Sequence, residues 1–148
     1  MKVEIKIDKG YIEPICIIHT ANLSPELVTL VDIIEGADTQ PFLLIAKKDE
    51  KSYIIKPDDI DIIRTEGGVV KCYDRLGQDF YVAKPLQELL ECLPNNFIRI
   101  SKSAIVNVNR IDHLSSSFNR TMYIIMKNSV NDYVSKKYLK DIKNRLGL

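Results

Sequence analysis

The sequence predicts a mainly β fold of the α+β class, with a few helices and a small α/β extension at the N-terminus. Three observations predict it. From Tyr53 onward, short apolar runs follow one another closely, with turn residues between them. Two stretches, near 85–93 and 135–146, carry apolar residues at helical spacing instead. Residues 1–36 combine strand-like alternation with one helical stripe. At 148 residues the chain has room for one domain, or one domain and an appendage.

Taken in order, residues 2–8 alternate strictly, with Val3, Ile5 and Ile7 on one face of a strand, and 15–18 read as its neighbour. Ser24-Pro25 opens a helix, serine as N-cap and proline at the first helical position. Leu27, Leu30, Val31 and Ile34 form its stripe, and Gly36 ends it. Residues 42–46 and 52–55 are strands around the charged turn Lys47-Lys48-Asp49-Glu50. Further strands are predicted at 60–64, 69–73, 79–83, 97–100, 111–114, 122–126 and 130–133, with turns at Lys56-Pro57-Asp58-Asp59, Gly67-Gly68, Arg75-Leu76-Gly77 and Lys127-Asn128. Pro85 opens a helix bearing Leu86, Leu89, Leu90 and Leu93, stopped by Pro94. Ser135 caps the last helix, which turns Leu139, Ile142 and Leu146 inward and ends at Gly147. A boundary within 36–52 divides the chain into an extension at 1–50 and a β-rich module at 51–148.

The net charge is +1, but it is unevenly spread. Residues 1–60 hold seven lysines against eleven acids, whereas 101–148 hold nine basic residues against three acids. A basic C-terminal third points to an anionic partner, although a solvated lysine face would look the same. No apolar run approaches a membrane span, and MKVEIKID is a strand pattern unlike a signal peptide. Cys16, Cys72 and Cys92 are scattered among apolar residues, which predicts buried free thiols in a cytoplasmic protein. The chain has no P-loop, GxGxxG, HExxH or GxSxG motif, and His19 and His113 have no partner at catalytic spacing. No enzyme activity, cofactor, metal or small-molecule substrate is indicated.

Two turns carry the candidate chemistry. In NFIRISKSAIVNVN (96–109) a basic, hydroxyl-rich turn with Arg99, Ser101, Lys102 and Ser103 adjoins the apolar pair Ile105-Val106, read as core. Lys102 directly follows a strand between two hydroxyls, from where it reaches a base edge or a phosphate. Arg99 alternates with Ile98 and Ile100, faces away from the core, and could meet a phosphate or an acid such as Glu66. In VSKKYLK (134–140), Lys136 and Lys137 stand in the first turn of a helix, where the dipole disfavours cations. A phosphate bound at the helix N-terminus beside Ser135 would explain them. Lys140 continues along the exposed face, whereas Lys143 and Arg145 complement the helix C-terminus.

Three segments together resemble the LytTR family of bacterial DNA-binding domains: DIDIIRTEGGVVKCY (59–73), KPLQELLECLPNNFIRISKSAIVNVNRIDHL (84–114) and YVSKKYLKDIKNRL (133–146). The second carries a leucine-rich helix followed by F-x-R-x-x-x-S-x-I-V-N, and the third carries V-S-x-x-Y-L-K. The resemblance implies an elongated arrangement of small antiparallel sheets. It implies a transcription regulator that reads double-stranded DNA in the major groove through loop side chains, as a homodimer on paired sites. By motif, the loops lie at Glu66-Gly67-Gly68, at Ser101-Lys102 and at Lys136-Lys137. The first has glycines where some relatives place a base-contacting side chain, so Gly68 would contact DNA through backbone, or Lys71 would substitute. Residues 1–50 carry no receiver pattern, so the chain resembles stand-alone members. Several of those are encoded beside a small membrane protein that restrains them, which implies such a regulator as a partner. The alternative reading is a protein-interaction module whose basic face docks an acidic or membrane-protein partner. Small-molecule sensing by residues 1–50 is compatible with the first reading, the DNA-binding regulator.

Overall fold

A computed structural model of the chain describes Gly10 and residues 15–37 and 42–148. The chain divides into two units, Met1–Gln40 and Pro41–Leu148. In the first unit, helix α1 spans Pro25–Ala37. Ser24 caps it as predicted: its Oγ accepts from the Leu27 N–H at 3.3 Å. The helix runs through Gly36 instead of ending there. The strand predicted at 2–8 lies outside the described residues. Residues 15–18, predicted as a strand, have no regular secondary structure, and Ile15 and Ile17 are exposed.

The second unit holds ten strands and two helices. β1 (Leu44–Lys48), β2 (Lys51–Ile55), β3 (Ile60–Glu66), β4 (Val69–Asp74), β5 (Asp79–Val82), β6 (Phe97–Ser101) and β7 (Ala104–Asn107) form one sheet in the order β2-β1-β5-β4-β3-β7-β6. β8 (Ile111–Ser116), β9 (Met122–Met126) and β10 (Asn131–Val134) form a second sheet in the order β10-β9-β8. Every pairing is antiparallel. α2 (Leu86–Cys92) links β5 to β6, and α3 (Lys136–Leu146) follows β10. Pro85 occupies the N-cap position of α2, one residue before the helix, and Leu93 ends it in an extended conformation before Pro94. Gly147 terminates α3 at φ 73°, a left-handed cap that glycine adopts without steric penalty.

Consecutive residues of β3 point to opposite faces of the larger sheet. Ile63, with Leu44, Ala46, Cys72, Phe80 and Ile105, joins a core closed by Leu86, Leu89 and Leu93 of the α2 segment. Ile62, with Ile100, Ala104 and Val106, joins a second core closed by Ile124 and Met126 of the smaller sheet and by Ile142 of α3. Ile62 and Ile63 are both fully buried. Ile105 and Val106 are core, as the sequence predicts, but they lie on a strand that the sequence does not predict. The structure shows why: β7 is buried at all four positions, so it has no polar face and no alternation.

Asp61 is also fully buried, at an irregularity in the β3–β4 register between Ile60 and Ile62. Its carboxylate accepts from Arg110 Nε at 2.7 Å and from the Asn128 N–H at 2.9 Å. Arg110 directly precedes β8, and Asn128 lies in the β9–β10 turn beside it, so one side chain of the large sheet holds one end of the small one. Asn107 acts as the predicted turn stabiliser: it donates to the Ile60 carbonyl and accepts from the Asn109 N–H.

The cysteines depart from the expectation of three buried thiols. Only Cys72 is buried, and desolvation pushes its thiol up to about 12, which keeps it protonated at neutral pH. Cys16 and Cys92 are exposed. Cys92 is the last residue of the short helix α2, whose buried residues are Leu86 and Leu89.

Removing Arg110 strands the buried Asp61 carboxylate. Arg110→Ala is expected to lower the unfolding free energy by about 3–5 kcal/mol in urea denaturation. A loss below about 1 kcal/mol would mean that the Asn128 N–H and water satisfy Asp61 without Arg110.

Candidate nucleic-acid interface

Backbone hydrogen bonds bring the three predicted loops to one edge of the second unit. The Thr65 N–H donates to the Ser103 carbonyl at 2.8 Å, which ties the β3–β4 hairpin to the β6–β7 turn. The Ser135 N–H donates to the Ile100 carbonyl at 2.9 Å, which ties the start of α3 to the same turn from the other side. The β6–β7 turn is therefore the middle member of the group.

In the first loop, Gly67 and Gly68 form a two-residue hairpin turn with φ of 57° and 81°. A Cβ at either position would meet nothing within 4 Å. The β1–β2 hairpin makes the same kind of turn with Asp49 and Glu50 at φ 49° and 62°, so left-handed backbone does not by itself demand glycine here. What the glycines add is a tip of bare, exposed backbone. Lys71, the predicted substitute, is committed within the fold: its ammonium lies 3.1 Å from Asp79 and 3.7 Å from Glu66. The hydrogen bond with Asp79 raises its pKa.

In the middle turn, Lys102 is exposed and Ser101 is buried. Ser101 Oγ accepts from the Ser103 N–H at 3.1 Å and lies 3.3 Å from Ser103 Oγ, so the two hydroxyls close the turn on themselves. Arg99 is half-buried on the face of β6 opposite Ile98 and Ile100, and it does not meet Glu66. Its guanidinium donates to the carbonyls of Ser101 at 3.0 Å and Lys102 at 2.5 Å, and to Gln87 Oε1 at 3.0 Å. Arg99 thus clamps the turn from behind and fixes the backbone from which Lys102 projects.

At the third site, Ser135 occupies the N-cap position of α3, but its hydroxyl makes no capping hydrogen bond. The first turn of α3 contains no acid, and Lys136, Lys137 and Lys140 are exposed. Lys137 Nζ lies 5.6 Å from the centroid of the Tyr138 ring.

A polar network missed by the sequence analysis braces the hairpin. Glu66 accepts from Arg64 Nε at 2.5 Å and from the Tyr73 hydroxyl at 2.6 Å. The Arg64 guanidinium stacks 4.9 Å from the centre of the Tyr73 ring and donates to the Asn131 carbonyl of β10 at 3.0 Å. Arg64 therefore joins the hairpin to the smaller sheet. The available signal was a lone arginine between Ile63 and Thr65, inside an apolar strand.

The comparisons with known proteins converge on one family. The family model of the LytTr DNA-binding domain matches residues 50–147. The chain belongs to the LytTR family. Its relatives include two uncharacterized HTH-type transcriptional regulators of Staphylococcus aureus. The one from strain bovine RF122 / ET3-1 is 30% identical over 148 residues, covering 100% of this chain and 99% of the relative. The one from strain NCTC 8325 / PS 47 is 29% identical over the same span. A LytTr DNA-binding domain from a Bacillus cereus protein described as a methyl-accepting/DNA response regulator shares the fold. Its TM-score is 0.66 at 22% identity, covering 72% of this chain and 97% of that domain.

As a LytTR protein, the chain has double-stranded DNA as its partner. Among the described residues, no two helices are joined as a helix-turn-helix: α2 lies between β5 and β6, and α3 follows β10. Among the described residues, no group of three His, Cys, Asp or Glu side chains could hold a metal ion. None of the described helices is long and apolar enough to cross a membrane.

The hydrogen bond from Tyr73, with those from Arg64, holds the Glu66 carboxyl below the usual glutamate range. A depressed folded value means stabilisation that is complete above the unfolded pKa, about 4.3, and is lost as pH falls through the lower folded value. Glu66→Gln is therefore expected to lower the unfolding free energy by about 1 kcal/mol at pH 7. The gap between parent and variant should close on acidification below about pH 4. A gap that is constant with pH would show that the glutamate charge contributes nothing.

Proposed function

We propose that this LytTR protein is a sequence-specific transcription regulator that works in the cytoplasm as a homodimer on DNA and reads the major groove through loop side chains. The observation that carries the reading is the pair of backbone hydrogen bonds, Thr65 to Ser103 and Ser135 to Ile100, that gathers all three loops. Lys102 and Lys137 are the base-reading side chains. Both are exposed, and both project from backbone fixed by hydrogen bonds to Arg99 or to β6. Lys136 and the free Ser135 hydroxyl take a phosphate at the α3 N-terminus, where the helix dipole and open N–H groups favour an anion. Lys140 binds a second phosphate one turn along. The bare tip at Gly67-Gly68 approaches the DNA through its backbone. Arg99, Ser101, Ser103 and Lys71 support the loops from within the fold.

Selection from random duplex DNA is expected to recover a pair of short related sites, whose spacing reports the dimer. Lys102→Ala and Lys137→Ala should each lose about tenfold or more in affinity for the selected duplex while unfolding like the parent. Lys140→Ala should weaken selected and random duplex alike and make the slope of log affinity against log salt shallower by about 0.9. Parental affinity in both of the first two variants would remove those lysines from the reading face.

A further inference from the structure

One hairpin near the α3 N-terminus has no part in the reading proposed above. β8 and β9 are joined through residues 117–121, Ser-Phe-Asn-Arg-Thr. In the smaller sheet, Ser116 pairs with Met122, and Met122 pairs with Val134, the residue before Ser135. Strands lie about 4.8 Å apart, so the root of this hairpin tip is about 10 Å from the start of α3. That separation is comparable to the groove widths of B-DNA, about 12 Å major and 6 Å minor. A protein that seats the α3 N-terminus at a groove therefore carries the tip to the neighbouring backbone.

The tip is built in a way the fold does not require. Phe118 has a relative exposure of 108%, so its ring packs against no part of the protein. The Arg120 N–H donates to the Ser117 carbonyl and the Ser117 N–H to the Thr121 carbonyl, both at 3.0 Å. This is a tight turn closed by one left-handed residue, a position that favours glycine. Arg120 holds it at φ 58°, a left-handed conformation that Asp49, Glu50 and Ser129 also adopt in this fold and that glycine holds without steric penalty. Its guanidinium pairs with no carboxylate among the described residues. No acid occurs between Asp112 and Asp132, and Ser115, Ser116 and Ser117 present exposed hydroxyls. A cation free of carboxylates, an unpacked aromatic ring and a row of hydroxyls match a DNA backbone: hydroxyls and guanidinium for phosphates, an apolar ring for the sugar edge of the minor groove.

We propose that the β8–β9 tip is a further DNA contact, with Arg120 on a phosphate and Phe118 against the deoxyribose edge of the groove beside the one read by Lys102 and Lys137. The proposal rests on the placement of α3 at DNA given above. The test uses the full chain, the selected duplex and a random duplex, with variants Arg120→Gly, Phe118→Ser and, as reference, Lys137→Ala. Arg120→Gly relieves the backbone and is expected to raise the thermal midpoint by about 3 °C. The same variant should lose about threefold to tenfold in affinity for both duplexes and make the log–log salt slope shallower by about 0.9. Phe118→Ser should leave the midpoint unchanged and weaken both duplexes similarly.

Parental binding by both hairpin variants, with a loss in Lys137→Ala, would overturn the tip contact and leave the reading face standing. Loss in the hairpin variants with parental binding by Lys137→Ala would support the tip and remove Lys137 from the reading face. Parental binding by all three would overturn both. A fall in the thermal midpoint of Arg120→Gly alongside its lost affinity would place Arg120 in the fold and overturn its role on DNA.

Discussion

The second unit depends on β3, which like its neighbour β7 is buried on both faces. β3 feeds Ile63 to the core under α2 and Ile62 to the core under the smaller sheet, and neither isoleucine touches solvent. A strand in that position cannot shift by one residue without exchanging the two cores. The irregularity at Asp61 directs a buried carboxylate at Arg110 and Asn128, neighbours at one end of the smaller sheet. Such a pair contributes little net stability compared with an apolar substitute, because desolvation offsets much of the attraction. What it supplies is direction. An apolar contact would tolerate sliding of one sheet over the other, whereas a carboxylate with two specific donors holds at one relative position.

That relative position is what the loops need. The β3–β4 tip and the β6–β7 turn belong to the larger sheet, while α3 extends from the smaller one. Arg64 spans the same division higher on β3, reaching the Asn131 carbonyl of β10 while holding Glu66 at the hairpin. The loops are also braced internally: Arg99 and the Ser101–Ser103 hydroxyls hold the turn that carries Lys102. Ordering a loop only on binding costs conformational entropy at each immobilised residue. Here that ordering is already built into the fold.

Much of this scaffold was legible in the sequence, and the failures have physical causes. Alternation and turn residues located nine of the ten strands of the second unit, because most have one wet face or end at Gly, Pro, Asn or Asp. The tenth, β7, was missed for lack of a polar face. Residues 15–18 failed in the opposite sense: an apolar run is necessary for a buried strand but does not guarantee a partner. The motifs put the three expected loops at the β3–β4 tip, the β6–β7 turn and the start of α3. They could not distinguish residues that project from residues that support. Ser101 and Lys102 are neighbours with similar motif value, yet one is buried and the other exposed. The convergence of the loops was hidden for a further reason. It is made by backbone groups, Thr65 with Ser103 and Ser135 with Ile100, which no side-chain pattern encodes.

The distribution of ion pairs turns the uneven charge of the sequence into a property of the surface. Arg64, Lys71, Arg75 and Arg110 each have a carboxylate within 4 Å. Three of these four lie between residues 60 and 100, where acids and bases are nearly balanced. In the basic C-terminal third, Asp112 is taken by His113 and Asp132 by Arg64, and among the described residues no carboxylate pairs with Lys102, Lys136, Lys137 or Lys140. Of the paired cations, Arg64 and Arg110 join the two sheets, and Lys102, Lys136, Lys137 and Lys140, left without a carboxylate, lie around the converging loops. Lysines without carboxylate partners keep their full attraction for phosphate and exchange only mobile counterions on binding, which is the main source of affinity for a duplex. An internal partner for any of them would have to be broken first and would subtract from that affinity. The separation of paired from unpaired charge thus links how this domain holds together to the DNA contacts proposed for it.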